Sequence, residues 1–128
     1  MSKKDFTGIR KNGNLPDPAG ICLPGDIKDL LSDYEDSLSS MLQDLEKAAL
    51  KYESGNKSKE NTDTIKRILH KIKGESSMVG IDEITELTHE TEFAFEELKE
   101  EQRPDMLFRY NDWLCKALSF MTETVQKC

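Results

Sequence analysis

Apolar residues recur at intervals of three and four positions in four separate segments of this 128-residue chain. Such spacing places the apolar side chains along one face of an α-helix. No segment shows the alternation of apolar and polar residues that marks a β-strand. The longest of the four runs consists of Ile27, Leu31, Tyr34, Leu38, Met41, Leu45, Ala48 and Tyr52. The pattern therefore predicts an all-α chain.

The four predicted helices are separated by residues that begin or end helices. They cover about residues 26–53, 62–78, 82–98 and 104–127. Gly55 suits the left-handed conformation that closes many helices, and Gly80 breaks the chain after the second one. The residues expected to cap or open the helices are Asp26, Thr62, Asp82 and Pro104. Because the links are short, we expect an up-down-up-down antiparallel four-helix bundle.

The residues before the first predicted helix show no sustained periodicity. They contain turn-forming stretches, namely Asn12-Gly13-Asn14, Leu15-Pro16-Asp17-Pro18 and Leu23-Pro24-Gly25. We therefore predict an irregular N-terminal leader over residues 1–25 that drapes over the rest of the chain. Residues 26–128 are predicted to form one bundle domain, since a chain of this length can bury a single core.

The charge of the chain is unevenly distributed. The net charge is −7 at pH 7, which disfavours general binding to nucleic acid. Residues 65–74 reverse this sign, because they contain four Lys or Arg and no acid. This segment is interpreted either as a docking feature for an acidic partner, which opposite charge would attract, or as an ordinary solvated helix face.

Several classes of protein are not indicated by the sequence. No apolar run approaches the roughly 18 residues that span a membrane, and the N-terminus lacks the apolar core of a signal peptide. Three cysteines, an odd number, argue against a disulfide framework. Neither a nucleotide-binding glycine loop nor a Ser or Cys nucleophile beside a base occurs, so an autonomous enzyme is not predicted. We expect a reduced, cytoplasmic, monomeric protein that binds neither membrane nor nucleic acid.

One segment of the second predicted helix has the composition of a site for phosphate chemistry. Ile65, Ile68, Leu69 and Ile72 form its apolar stripe, and His70 lies about 150° from the middle of that stripe. A core histidine would lie on the stripe, so this imidazole is expected to face solvent. A nitrogen nucleophile placed in this way can accept a phosphoryl group and pass it on.

Two neighbours of His70 suit this chemistry. Lys73 follows one turn later and can place a mobile positive charge near phosphoryl oxygens. Gly74 nearly overlies His70 and removes a side chain from the path of an approaching partner. A glycine in a helix costs about 1 kcal/mol relative to alanine. Access for a partner would explain that cost, and a tolerated weakness near the helix end is the alternative.

The segment from His70 to Gly80 resembles the phosphoacceptor segment of histidine-containing phosphotransfer (HPt) domains. The shared pattern is a His, a Lys three residues later, a Gly next, small residues, and a second Gly ten residues after the His. The likeness continues at His89, nineteen residues after His70, and at Glu92, three residues further on. In these spacings the chain looks most like the N-terminal phosphotransfer domain of chemotaxis sensor histidine kinases.

This resemblance implies a role for each residue. His70 would be the phosphoacceptor, Glu92 would hydrogen-bond its distal ring nitrogen, and Lys73 and His89 would contact the phosphoryl group. A sensor histidine kinase would phosphorylate His70, and a response-regulator receiver would take the group onto its own aspartate. These partners would supply ATP and Mg²⁺, while this chain would bind no cofactor or metal. Partner docking is assigned to Lys66, Arg67, Lys71, Gly74 and Ser77.

The chain also departs from the family pattern. Glu75 occupies a position that is usually small, which places an acid beside the docking face. It supports one alternative, a helical bundle that binds receivers or kinases without being phosphorylated. A metal site built from His70, His89 and Glu92 is a further alternative, disfavoured by too few ligands and by Lys73 nearby. No kinase domain follows residue 128, so the chain is either a free-standing relay protein or a fragment of a larger kinase. The leader, which lies outside the resemblance, and the natural-looking Met1 favour the free-standing protein.

Overall fold

The structure is a computed structural model, and it describes residues 4–11, 13–24 and 28–123. Four α-helices form most of this part of the chain: α1 Lys28–Glu53, α2 Lys59–Val79, α3 Asp82–Glu97 and α4 Arg103–Glu123. Each helix packs against its neighbours in sequence, and α4 closes the bundle against α1. With no β-strand among the described residues, the predicted all-α four-helix bundle is confirmed.

The predicted apolar stripes form the core. Side chains with at most 1% of their surface exposed come from every helix and include Leu38, Leu45, Tyr52, Ile65, Leu69, Ile72, Ile84, Leu87, Phe95, Tyr110 and Leu114. Replacing one such Leu or Ile by Ala typically costs about 2–5 kcal/mol. The outer faces are polar, and no helix in the described ranges is long and apolar enough to cross a membrane.

Helix α2 begins earlier than the apolar spacing predicted. Ser58 caps it with an extended backbone, φ −64° and ψ 157°, and its Oγ accepts a hydrogen bond from the Asn61 N–H at 3.2 Å. Thr62 lies inside the helix, so its assignment as the cap is wrong. The apolar stripe starts only at Ile65, and periodicity alone therefore could not locate a polar first turn.

The turn between α2 and α3 depends on Gly80. This residue adopts φ 82° and ψ 25°, a left-handed conformation that favours glycine. The N–H groups of Gly80 and Ile81 donate to the carbonyls of Ser77 and Ser76 at 3.1 and 2.9 Å. Ile81 is fully buried and occupies the position before α3. Asp82 is consequently the first helical residue, and the prediction that it caps α3 is wrong.

The leader is irregular, as predicted, yet it contributes to the core of the bundle. Two 3-10 turns, Thr7–Ile9 and Pro18–Gly20, pack it against α3 and α4. Four of its side chains are at most 3% exposed, namely Phe6, Ile9, Ile21 and Leu23. The Phe6 ring meets the Trp113 ring edge to face at a centroid distance of 5.5 Å. The leader therefore helps to complete the hydrophobic core.

Hydrogen bonds fasten the leader to α4 as well. Trp113 Nε1 donates to the Pro16 carbonyl at 2.7 Å. Arg109 donates to the carbonyl of Gly8 at 3.4 Å and also to that of Gly13. The predicted cap Asp26 and the predicted end of the fourth helix beyond Glu123 lie outside the described residues.

The cysteines differ from the sequence expectation at one position. Cys22 is disulfide-bonded, whereas Cys115 is free and exposed. The prediction of reduced cysteines is therefore wrong for Cys22.

Candidate functional site

His70 stands on the solvent-facing side of α2. Its side chain is 76% exposed, while Ile65, Leu69 and Ile72 on the opposite side of the same helix are buried in the core. No described residue hydrogen-bonds to its Nε2. The periodicity of the segment therefore placed this imidazole correctly, with one ring nitrogen open to an approaching molecule.

Glu92 brings a carboxylate from α3 to the other ring nitrogen. Its Oε2 lies 3.5 Å from His70 Nδ1, slightly beyond the usual range of a direct hydrogen bond of about 2.7–3.2 Å. The contact joins the two helices at the pair of residues that the family resemblance implied. It orients the ring so that Nδ1 faces protein and Nε2 faces solvent.

Lys73 holds the second oxygen of the same carboxylate. Its Nζ lies 2.7 Å from Glu92 Oε1, and both side chains are about three-quarters buried. Oε1 is shielded from solvent and accepts no aligned hydrogen bond from any described residue, so the contact is an ion pair. Glu92 thus lies between Lys73 and His70 and contacts both.

His89 lies beside this group, and no hydrogen bond or ring contact joins it to His70 among the described residues. It lines a groove of about 290 Å³ between α2 and α3, together with Lys73, Glu92 and Phe93. The His89 and Phe93 rings meet edge to face at a centroid distance of 4.9 Å and an angle of 82°. The structure therefore unites His70, Lys73 and Glu92 directly and places His89 next to them.

No group of three or more His, Cys, Asp or Glu side chains suited to a metal ion occurs within residues 4–11, 13–24 and 28–123. The positive charge beside Glu92 comes instead from the Lys73 ammonium at 2.7 Å. An exposed imidazole beside a carboxylate that also pairs with an ammonium is suited to carry a phosphoryl group.

Comparison with known families identifies the family to which the four-helix bundle belongs. A family model described as the Hpt domain matches residues 29–123. The chain belongs to the Hpt domain family. Hpt domains act in histidine phosphotransfer and take part in two-component phosphorelays with kinases and receivers. No curated protein and no solved structure matches the chain.

Gly74 leaves an open approach to His70 in this Hpt domain. A Cβ built at Gly74 would meet no atom within 4 Å, and the backbone there is ordinary α2 helix. Neither packing nor backbone conformation within the chain therefore requires a glycine. Ser77, one turn further on, is also exposed. Both positions assigned to docking lie on free surface next to His70.

The cations assigned to docking divide between the two sides of α2. Lys66 faces α3 and pairs with Glu96 at 2.7 Å. Arg67 and Lys71 face α1 and line a groove of about 580 Å³ between α1 and α2. Lys47 and Lys51 of α1 line the same groove, together with acidic residues that include Asp44 and Glu60. No carboxylate of the described residues lies within ion-pair distance of any of these four cations, which are Lys47, Lys51, Arg67 and Lys71.

Several exposed residues near His70 were not predicted. Phe93 is 48% exposed and lines the α2–α3 groove beside Glu92. Met78, on α2, is 81% exposed. The sequence signal for Phe93 was its position outside the buried stripe of the third helix. Lys47 and Lys51 could be found only by pairing α1 with α2, because they are distant from His70 in sequence.

Glu75, the residue that departs from the family pattern, is directed toward α1. Ser37 Oγ donates to Glu75 Oε1 at 2.8 Å. The Tyr34 and Ser76 hydroxyls bond to each other at 2.6 Å in the same part of the α1–α2 contact. Glu75 is therefore held by α1 at the edge of the surface around Gly74.

A set of buried hydroxyls lies in the core, one from each helix. Tyr34 of α1 bonds to Ser76 of α2 at 2.6 Å, and Tyr110 of α4 bonds to Thr88 of α3 at 2.7 Å. Thr88 Oγ1 also donates to the Ile84 carbonyl at 2.7 Å. Burial raises the pKa of Tyr34 to about 12 and raises the pKa of Tyr110 as well. Both phenols are therefore neutral hydrogen-bonding groups at physiological pH.

Proposed function

We propose that this Hpt domain is a phosphorelay intermediate in which His70 receives a phosphoryl group from a sensor histidine kinase and passes it to the aspartate of a response-regulator receiver. The observation that supports it most directly is the His70 ring, which is 76% exposed and has Nδ1 turned toward Glu92. The spacing of His89 and Glu92 after His70 supports a closer relation to the N-terminal phosphotransfer domain of chemotaxis sensor kinases. We expect the protein to act as a monomer in the cytoplasm.

In the first step, the lone pair of His70 Nε2 attacks the γ-phosphorus of ATP bound to the kinase. The new N–P bond forms as the P–O bond to ADP breaks, and ADP leaves with that electron pair. The imidazole ring becomes positively charged. Glu92, 3.5 Å from Nδ1, stabilises this charge because a carboxylate favours a nearby cation.

In the second step, a carboxylate oxygen of the receiver aspartate attacks the phosphorus on Nε2. The O–P bond forms, the P–N bond breaks, and the electron pair returns to the His70 ring. Mg²⁺ and ATP belong to the partner domains in this scheme, so this chain supplies the carrier nitrogen and its surroundings. Lys73 has a flexible stem that can move its charge from Glu92 toward the phosphoryl oxygens.

The experiment that tests this function is chemical and enzymatic labelling of His70. Wild-type protein is incubated with phosphoramidate, or with a sensor kinase and ATP, and then with receiver domains. We expect an acid-labile phosphate on the wild type and none on His70→Gln, with His89→Gln as the control that retains the acceptor nitrogen. Full labelling of His70→Gln would exclude His70 as the acceptor. A wild-type protein that binds receivers but never takes up phosphate would instead support the phosphorylation-independent interaction module.

A further inference from the structure

The leader reaches helix α3 through the side chain of Arg10. Its Nη1 lies 3.5 Å from Glu90 Oε1, and its Nη2 pairs with Glu97. Its Cζ lies 5.8 Å from the centroid of the Phe93 ring. The preceding residue, Ile9, is 1% exposed in the core, so the backbone that carries Arg10 is fixed. Three contacts on α3 therefore define where the guanidinium lies.

Phe93 connects this guanidinium to His89. The Phe93 side chain is 48% exposed, so the core alone does not fix its ring. Arg10 lies near one part of the ring, and His89 meets it edge to face at 4.9 Å. Cation–π and edge-to-face contacts both depend on ring orientation. A change at Arg10 is therefore transmitted to His89 through a single aromatic ring.

His89 in turn shares the α2–α3 groove with Lys73 and Glu92, the two residues that adjoin His70. We propose that Arg10 is a positioning residue of the phosphotransfer site, which orients His89 through Phe93. This proposal rests on the proposed function in one respect, since it assigns His89 to the phosphoryl group on His70. The leader lies outside the residues that match the Hpt domain, 29–123, so the positioning is an addition to the bundle.

A second leader contact provides a matched control. Lys4 Nζ lies 3.0 Å from Glu83 Oε2 near the start of α3. Arg10→Gln and Lys4→Gln each remove one positive charge from the leader. Arg10→Gln removes contacts with two α3 carboxylates, and Lys4→Gln removes a contact with one. Only Arg10 also contacts Phe93. A merely structural attachment of the leader predicts similar effects for the two variants, whereas positioning predicts an effect of Arg10→Gln alone.

The test uses the full chain and two readouts. His70 and His89 are the only histidines, so His70→Gln assigns the imidazole NMR signals of His89. We expect Arg10→Gln to shift the His89 ring signals and to slow labelling of His70 by phosphoramidate about three- to tenfold. Lys4→Gln should change neither, and Arg10→Lys should restore part of the rate. Thermal unfolding of every variant identifies any general loss of structure.

Unchanged His89 signals in Arg10→Gln would overturn the proposal, and so would equal effects of Lys4→Gln. Shifted signals with an unchanged labelling rate would also overturn it, because the contact would then have no effect on transfer. Failure of the wild type to take up phosphate would overturn the proposed function instead. In that case the His89 signals would still decide whether Arg10 orients this ring.

Discussion

At the scale of single residues, the site depends on one carboxylate that contacts both a lysine and a histidine. Glu92 contacts Lys73 through Oε1 at 2.7 Å and His70 through Oε2 at 3.5 Å. In the proposed reaction the imidazole becomes cationic just when a charged phosphoryl group arrives. The attraction of Glu92 for the ring then increases, and Lys73 becomes available to the phosphoryl oxygens.

Glu92→Gln should slow phosphorylation of His70 markedly. The amide cannot stabilise a positive ring as a carboxylate does, and a hydrogen bond to a charged group contributes about 1.5–3 kcal/mol. We expect a loss of about 10- to 100-fold in the rate of labelling. Glu96→Gln is the control, because it removes another α3 carboxylate that pairs with a lysine, Lys66, at 2.7 Å. Equal rates for the two variants would contradict the role of Glu92.

Gly74→Ala should raise the stability of the protein while hindering the access of a receiver domain to His70. Because a Cβ meets no atom within 4 Å, we expect the variant to gain up to about 1 kcal/mol in the free energy of unfolding. Transfer to a receiver domain should slow, since the new methyl group lies in the path of the partner. Labelling by the small donor phosphoramidate should not change and serves as the control. Unaltered transfer to the receiver would contradict the access argument.

At the scale of elements, the sequence located the helices well and their caps less well. The apolar stripes were sufficient to predict the extent of α1 and α3, and Pro104 marked the start of α4 to within one residue. Ser58 was overlooked because cap choice depends on local hydrogen bonds, which leave no trace in the periodicity. Asp82 was misassigned because burial of Ile81 set the start of α3.

The residues of the functional site were predicted only in part, for reasons similar to those that apply to the helix caps. His70 and Lys73 lie on one helix, where spacing alone defines their relation. The pairing of His70 with Glu92 needed the family resemblance, because it depends on how α2 is set against α3. Phe93 and Arg10 were not predicted as neighbours of the site. Their contact joins segments 80 or more residues apart in the chain, and no local pattern indicates such a contact.

The groove between α1 and α2 extends the cationic surface from Arg67 and Lys71 to a second helix. Four cations without ion-pair partners among the described residues, on a chain of net charge −7, should attract an acidic partner surface. Acids in the lining offset only part of this charge. We expect the groove to govern how fast a partner docks rather than the chemistry at His70.

The double variant that carries Lys47→Glu and Lys51→Glu should therefore transfer its phosphoryl group to receiver domains about tenfold more slowly at low salt. The effect should disappear at high salt, where surface charges are screened. The control is Lys99→Glu with Lys116→Glu, which changes the net charge equally at exposed positions outside the groove. The measurement is the rate of transfer from phosphorylated His70 as a function of salt. Equal slowing by both pairs would contradict a localised docking surface.

At the scale of the whole molecule, the leader and the bundle share one core. The turn-forming stretches of residues 1–25 predicted an irregular leader, and no pattern in them indicated that four of its side chains would be buried, namely Phe6, Ile9, Ile21 and Leu23. These side chains are isolated apolar residues without period, so their burial depends on the surface that α3 and α4 present. A segment outside the family match thus contributes to the stability of the matched bundle.

Phe6→Ala should destabilise the protein by about 3–5 kcal/mol. The side chain is 2% exposed, and its ring packs on Trp113. Leu50→Ala is the control, because Leu50 is 46% exposed and such changes usually alter stability by about 0.5 kcal/mol or less. Urea unfolding of both variants measures the difference. If Phe6→Ala is no more costly than Leu50→Ala, the leader does not share the core in solution.

The four buried hydroxyls have a consequence for how such a protein can diverge. Sliding α2 by one turn along α1, or α4 along α3, would leave buried hydroxyls without partners, at about 1–3 kcal/mol for each group. This penalty fixes the position of α2 along α1, and of α4 along α3, independently of the residues on the surface. Substitutions on the outer faces of these helices can therefore accumulate while each helix pair keeps its register.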